Sequence, residues 1–132
     1  MKKIIPVVIL TILTSWLFLV GCGKQAEPIV LPSTNEIDSI NITTFDGSEI
    51  SYSDKEWIEQ FIVVVTQAES TAKESIQDIP DVETYGKVDI SNNGGTTTFF
   101  YYIENEKHYI EQPYQGIYET DVDIDALVKG IE

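Results

Sequence analysis

The sequence of 132 residues contains no arginine, one histidine and one cysteine, and its formal charge is −14 at neutral pH. Arginine is the usual residue for recognising phosphate groups, so its absence from a strongly acidic chain argues against nucleic acid as a partner. The lone cysteine excludes an internal disulfide and a cysteine-based metal cluster. The sequence also lacks an HExxH motif, a P-loop and a GxGxxG motif. We therefore expect a non-catalytic protein without a cofactor.

The first residues have the composition of a secretory signal. Lys2 and Lys3 precede an apolar stretch, residues 4–20, that contains no charged residue. A positive flank followed by an apolar centre and small residues is typical of such signals. The stretch is slightly short for a membrane-spanning helix, which needs about 20 apolar residues. Because positive flanks stay in the cytoplasm, we expect the rest of the chain to face outward.

The cysteine lies directly after this apolar stretch. The run Leu19-Val20-Gly21-Cys22 resembles the lipobox of bacterial lipoproteins at every position. The resemblance implies that residues 1–21 are a signal peptide that is cleaved off, and that the thiol of Cys22 carries diacylglycerol. Two acyl chains, such as palmitate, attach a protein stably to a membrane. The lipid-anchored protein would then lie at the outer, extracytoplasmic face of the cell membrane. An uncleaved membrane anchor and an ordinary secreted protein are the alternatives.

Two regions follow the predicted cleavage site. Residues 22–36 contain Pro28 and Pro32 and little periodicity, which favours a tether that carries the lipidated cysteine. Residues 37–132 have the length of one domain. Removal of residues 1–21 takes away two lysines and no acidic residue, so the formal charge would change from −14 to −16. This acidity favours cationic partners or serves solubility alone.

Hydrophobic patterns predict an α+β domain. Alternation on both sides of Asp46-Gly47 predicts a β-hairpin, and apolar residues at helical spacing predict a helix over residues 54–69 with Ser53 as its N-cap. Three further strand-like segments predict an antiparallel meander: residues 84–90, 96–103 and 108–111. Apolar residues at positions 124, 127, 128 and 131 predict a C-terminal helix. Helices on one face of an antiparallel sheet make a two-layer architecture.

The acidic residues near the C-terminus have the spacing of a calcium-binding loop. Asp121, Asp123, Asp125 and Glu132 match positions 1, 3, 5 and 12 of an EF-hand, but position 6 is alanine and position 9 is Lys129. Acidic residues at the start of a helix explain the same pattern through the helix dipole. We favour this second interpretation and predict no metal site.

The most distinctive segment is the tyrosine-bearing loop of residues 113–118. Pro113 ends a strand, Gly116 permits a turn, and Tyr114 and Tyr118 flank that glycine. Exposed tyrosines are good contact residues because they are rigid and amphipathic, but they also close small cores well. We regard Tyr114, Gly116 and Tyr118 as candidate partner-binding residues and leave core closure open. The single histidine, His108, could serve catalysis only beside a nucleophile such as Ser75 or Ser91, and the sequence places neither there.

Two runs carry a resemblance to a known family. They are residues 71–75 with Asp78 and Pro80, and residues 109–114 with 116–118. On these runs, the chain from about Ile37 onward resembles a family of small uncharacterised lipoproteins of Gram-positive bacteria that carry a domain of unknown function. The resemblance implies a location and a fold kinship but no reaction.

Together, these observations predict a membrane-anchored extracytoplasmic lipoprotein that acts as a binding module. Its partners would be the lipid membrane, through acylated Cys22, and a protein or cell-wall component. The alternative is a lipoprotein that binds a small ligand or a cation at its acidic surface. A hydrolase is the third interpretation.

Overall fold

A computed structural model describes residues 26–130, which form a seven-stranded antiparallel sheet and two α-helices. The strands are β1 (Ile37–Thr43), β2 (Glu49–Tyr52), β3 (Glu69–Ser70), β4 (Gly86–Asn92), β5 (Gly95–Glu104), β6 (Lys107–Gln112) and β7 (Gly116–Thr120). The helices are α1 (Lys55–Thr66) and α2 (Ile124–Lys129), and a 3₁₀ turn, Thr34–Glu36, precedes β1. The strand order is β2-β1-β4-β5-β6-β7-β3. Among the described residues, neither helix is long and apolar enough to cross a bilayer.

The predicted hairpin is confirmed as β1 and β2. One carboxylate oxygen of Asp46 accepts hydrogen bonds from the Thr44 hydroxyl at 2.6 Å and from the Ser48 backbone N–H at 2.9 Å. Gly47 has a φ of +85°, in the left-handed region that glycine adopts without steric cost. The turn is therefore built from the Asp-Gly pair that the sequence indicated.

Both helices are capped by aspartate. The side chain of Asp54, rather than the predicted Ser53, accepts from the backbone N–H of Glu56 and begins α1. At the C-terminal helix, Asp123 accepts from the N–H of Ala126 at 3.0 Å, so the prediction that an aspartate of the acidic run caps this helix is confirmed for Asp123. Helix α1 ends at Thr66 rather than near residue 69, because residues 69–70 form β3.

The main core lies between the two helices and one face of the sheet. An aromatic column begins at Tyr52 and Trp57, whose stacked rings are 3.5 Å apart, and continues through Phe61 to Phe99. On α2, the carboxylate of Asp125 is buried and accepts from the backbone N–H of Phe45 at 2.9 Å and from the hydroxyl of Tyr101 at 2.8 Å. The packing thus joins both helices to the hairpin and the meander.

The sheet is larger than predicted, although the class remains a sheet with helices. The predicted meander corresponds to β4, β5 and β6, but β7 and β3 extend it along the same sheet. Strands β3 and β4 are joined by a long segment without helix or strand. In the structure, this segment, residues 71–85, crosses the face of the sheet opposite the helices; we call it the strap. The two-layer description is therefore incomplete on that face.

The strap covers a second, smaller apolar cluster. Tyr102, Tyr109 and Ile117 point away from the helices and are buried, with Val82 and Tyr85 of the strap packed against them. The remaining outer face of β4 and β5 carries polar residues such as Asp89 and Thr98, which hydrogen-bond to each other. The strap therefore converts half of a polar face into a second buried surface.

Candidate functional site

Tyr114 occupies a tight turn between β6 and β7 in a conformation that tyrosine rarely adopts. The backbone N–H of Gln115 donates to the carbonyl of Gln112 at 3.0 Å, which closes a four-residue turn around Pro113 and Tyr114. The φ of Tyr114 is +63°. The ring of Pro113 fixes the φ angle of the second turn residue, and Tyr114 is the third. The turn is therefore of type II, whose third residue is normally glycine or asparagine. A bulky residue held in this region indicates a local cost that function can explain.

The Tyr114 side chain is exposed and positioned by the strap. It is 66% exposed, and its hydroxyl donates a 2.6 Å hydrogen bond to Asp78. This hydrogen bond to the carboxylate raises the pKa of Tyr114 above its ordinary value. The ring is therefore presented to solvent in a defined orientation, as a contact residue would be.

Gly116 and Tyr118 lie in the interior instead. Tyr118 is 1% exposed, its hydroxyl donates to the backbone carbonyl of Glu27, and burial raises its pKa. A Cβ atom on Gly116 would lie 2.4 Å from the Cβ of Ala26, so glycine is needed there for close approach of the chain. Gly116 and Tyr118 therefore close the core. Of the three candidate partner-binding residues from the sequence, only Tyr114 is exposed.

Residues 26–36 are not a free tether, because they lie against the domain. The buried side-chain amide of Gln112 accepts from the N–H of Val30 at 2.8 Å and donates to its carbonyl at 2.7 Å. The Gln115 amide reaches the carbonyl of Pro28, and the N–H of Ala26 donates to the carbonyl of Thr71. The entering chain is thus fixed beside the Tyr114 turn. Cys22, the predicted lipid-attachment residue, lies outside the described residues.

The strap is fixed to the sheet by polar contacts near the same turn. The Ser75 hydroxyl donates a 2.7 Å hydrogen bond to the carboxylate of Glu111, and both residues are buried. The ammonium of Lys73 lies 4.3 Å from the centre of the Tyr109 ring and 3.4 Å from an oxygen of Glu104. These contacts hold residues 73–78 beside Tyr114.

Together, the turn, the strap and the entering chain form a cleft of about 300 Å³, which we call the Tyr114 cleft. Its apolar side is formed by Tyr114 and Ile76, and Ile76 is 74% exposed. Glu27 and Glu74 contribute carboxylates to its lining. Sequence reasoning missed Ile76 and Glu74, and the available signal was one isoleucine among the polar residues of positions 73–78.

The other residues considered from the sequence do not assemble into a site. Asp123 caps α2 and Asp125 is buried against the hairpin, and residues 124–129 are helical, so the EF-hand loop is not formed by the described residues. His108 pairs with Ile103 of β5 and Thr120 of β7. Its side chain is on the helix-covered face of the sheet, because His108 lies two residues from the core residue Ile110 in the same strand. Ser75 contacts Glu111, on the opposite face, so these two candidate catalytic residues are separated. Within residues 26–130, no group of three or more potential metal-ligating side chains is found.

Comparison with known proteins identifies relatives. Residues 25–119 match the family model DUF5301, whose description is "Domain of unknown function (DUF5300)". A solved structure described as "NMR structure of the protein from Ruminococcus gnavus" is 44% identical, with a TM-score of 0.65 over 72% of this chain and 93% of that chain. No curated protein matches the chain. Because the family model covers most of the chain, the protein belongs to this family of domains of unknown function.

Proposed function

We propose that the protein is a lipid-anchored extracytoplasmic lipoprotein that acts as a non-catalytic binding module, with the Tyr114 cleft as its contact surface. The observation that carries this proposal is the exposed Tyr114 ring, held at a φ of +63° by a turn that favours glycine. A glycine would close the same turn without steric cost. A contact that the ring makes would explain an aromatic residue at this position.

The position of the cleft relative to the predicted anchor supports the same proposal. Ala26 lines the cleft, and it lies only four positions after Cys22 in the chain. Four residues span at most about 14 Å. If Cys22 is acylated, the cleft is therefore held close to the outer surface of the membrane, and a partner that binds it must be accessible at that surface.

The anchor is tested by lipid labelling. Cells that express the protein are grown with a radioactive or alkyne-tagged palmitate, and the wild-type chain is compared with Cys22→Ala. The proposal expects label and partition into the detergent phase for the wild type, and loss of both for the variant. Equal labelling of the two chains, or no labelling of either, would show that Cys22 is not the attachment residue.

The contact surface is tested with Tyr114→Gly. Removal of the left-handed strain stabilises the folded state by about 1–2 kcal/mol. The loss of the hydrogen bond to Asp78 and the greater conformational freedom of glycine in the unfolded chain destabilise it and offset this gain. We expect the melting temperature to change by only a few degrees while surface cross-linking to a partner is lost. Tyr114→Asn, which also tolerates this φ, is expected to behave in the same way. Cross-linking that survives both substitutions would remove Tyr114 from the contact surface.

The alternative function, binding of a small ligand or cation, is supported by a neighbouring acidic cleft. This cleft of about 290 Å³ lies on the other side of strap residues 73–74, and Glu74, Asp81, Glu104 and Glu111 contribute to its lining. A ligand that binds only the folded state raises its melting temperature. A melting temperature that rises with millimolar calcium would favour this alternative, and an unchanged one would count against its calcium version.

A further inference from the structure

We propose that the Tyr114 cleft binds an extended basic segment of a partner protein, one that carries an apolar side chain beside its lysine or arginine residues. This inference rests on the proposed function, because it names the chemistry of the partner for the same surface. Three features of the described residues support it: the mixed lining of the cleft, the distribution of charge around it, and an intramolecular example of the same recognition.

The lining of the cleft combines apolar and acidic groups. Ile76 and Tyr114 are the two most exposed of the large apolar side chains in the described part of the chain, and both line this one cleft. Exposed aromatic and aliphatic side chains around a concavity are typical of a docking surface. The adjacent carboxylates of Glu27 and Glu74 would be matched by cationic groups on the same partner.

Charge around the cleft favours a cationic occupant. Lys73 also lines the cleft, but its ammonium is paired with Glu104 and lies over the Tyr109 ring. Within residues 26–130, neither Glu27 nor Glu74 belongs to an ion pair. Glu74 also lines the acidic cleft on the other side of the strap, so a partner segment that crosses the strap meets carboxylates on both sides. The chain has a formal charge of −14 and no arginine of its own. Long-range attraction would therefore steer a basic segment toward this surface.

The strap already holds one ammonium group in the manner that we propose for the partner. Lys73 places its Nζ 4.3 Å from the centre of the Tyr109 ring and 3.4 Å from a carboxylate oxygen of Glu104. An aromatic face beside a carboxylate is a favourable environment for a cation. Tyr114, beside Glu74 and Glu27, offers the same pair of groups at the cleft.

A lipid surface fits the cleft less well than a basic segment does. Membrane surfaces that contain anionic lipids repel carboxylates, and the surface potential acts on each charge near the headgroups. Glu27, Glu74 and Asp78 would all approach such a surface if Tyr114 and Ile76 entered it. The basic protein segment satisfies both the apolar and the acidic side of the lining.

The test uses the full lipidated protein, purified in a neutral detergent, and three dye-labelled peptides. One peptide alternates lysine with leucine, one alternates glutamate with leucine, and one alternates lysine with serine. Fluorescence anisotropy should show the tightest binding for the lysine–leucine peptide, because only this peptide supplies both kinds of group. Comparable binding of the glutamate–leucine peptide would overturn the charge assignment, and comparable binding of the lysine–serine peptide would overturn the apolar one.

Matched substitutions separate local recognition from general attraction to an acidic protein. E74Q and E49Q each remove one exposed carboxylate, but Glu49 lies on the edge strand β2 at the far side of the sheet. We expect E74Q to lower the affinity for the lysine–leucine peptide by about two- to fivefold and E49Q to leave that affinity unchanged. For the apolar contact, I76S should weaken binding by about tenfold, whereas I103S, at an exposed isoleucine of β5, should not.

Equal effects of E74Q and E49Q would reduce the binding to non-specific electrostatics and contradict the proposal. No binding of any peptide would also contradict it. In that case, a cross-link to a protein on the cell surface that still depends on Tyr114 would support the binding function with a partner of different chemistry. A cross-link to lipid instead would identify the membrane as the binding partner. Failure of palmitate labelling concerns the anchor alone, so the two proposals can fail separately.

Discussion

The Ser75 hydroxyl donates a 2.7 Å hydrogen bond to the Glu111 carboxylate, although the two residues are 36 positions apart and both are buried. Glu111 lies on the outer face of β6, between Phe100 of β5 and Ile117 of β7 in the sheet register. Ser75 lies in the strap, one residue before Ile76. This contact therefore fixes the side of the Tyr114 cleft that the strap provides.

Substitution of Ser75 by alanine should destabilise the protein. When a buried carboxylate loses a hydrogen-bond donor, the free energy of unfolding falls by about 1–3 kcal/mol, which is more than the removal of an exposed hydroxyl costs. Ser53→Ala is the matched control, because Ser53 is exposed and does not cap α1. Urea unfolding followed by circular dichroism measures both. Equal stability of the two variants would show that the strap is not held by this contact.

Substitution of Gly116 by alanine should displace the entering chain. The added Cβ would lie 2.4 Å from the Cβ of Ala26, and overpacking of this kind costs about 1–3 kcal/mol. Ala26→Gly in the same chain should recover part of the loss, which a double-mutant cycle measures as a coupling energy. Gly94→Ala is the control, since only one atom lies near its added Cβ, at 3.8 Å. Strictly additive effects at positions 26 and 116 would contradict the packing described for residues 26–30.

The hairpin turn should contribute to acid sensitivity through Asp46. Hydrogen bonds from the Thr44 hydroxyl and then from the Ser48 backbone hold the pKa of Asp46 well below its usual range. The usual pKa of aspartate is about 3.9 in an unfolded chain. Because the folded-state pKa is the lower one, this contribution is present above about pH 4 and is lost as the pH falls below it.

Chemical denaturation at pH 2–7 tests this expectation with the Asp46→Asn variant. Asparagine retains an oxygen that can accept the turn hydrogen bonds but has no proton to bind in this range. The wild type should lose more stability than the variant between pH 4 and pH 2. Identical pH profiles for the two chains would show that Asp46 does not titrate differently on unfolding.

The hairpin, the meander and both helices could be predicted from the sequence because their signals are local. Asp46-Gly47 specifies a turn by itself, and alternation is present wherever one face of a strand is polar. Strand β7 gives no such signal, because Ile117 is buried under the strap while Tyr118 is buried in the main core. A strand buried on both faces does not alternate. Strand β3 has two residues, too few to show any period.

The same reasons explain what was missed at the candidate site. The sequence groups Tyr118 with Tyr114 because a strand without alternation, placed after Pro113, resembles a loop. Docking of residues 26–36 depends on Gln112, more than 80 positions away, and on the space left by Gly116. The cleft exists only after the strap and the entering chain have packed against the sheet, so no window of sequence contains it.

The most direct test of the account is site-specific photo-cross-linking on intact cells. A benzophenone amino acid is placed at position 114 in one chain and at position 103 in another, since both native side chains are exposed and lie near opposite ends of β6. We expect a reproducible protein adduct from position 114 that is absent from position 103 and is lost in the Cys22→Ala background. Equal adducts from both positions, or none from position 114, would contradict the assignment of the Tyr114 cleft as the binding surface.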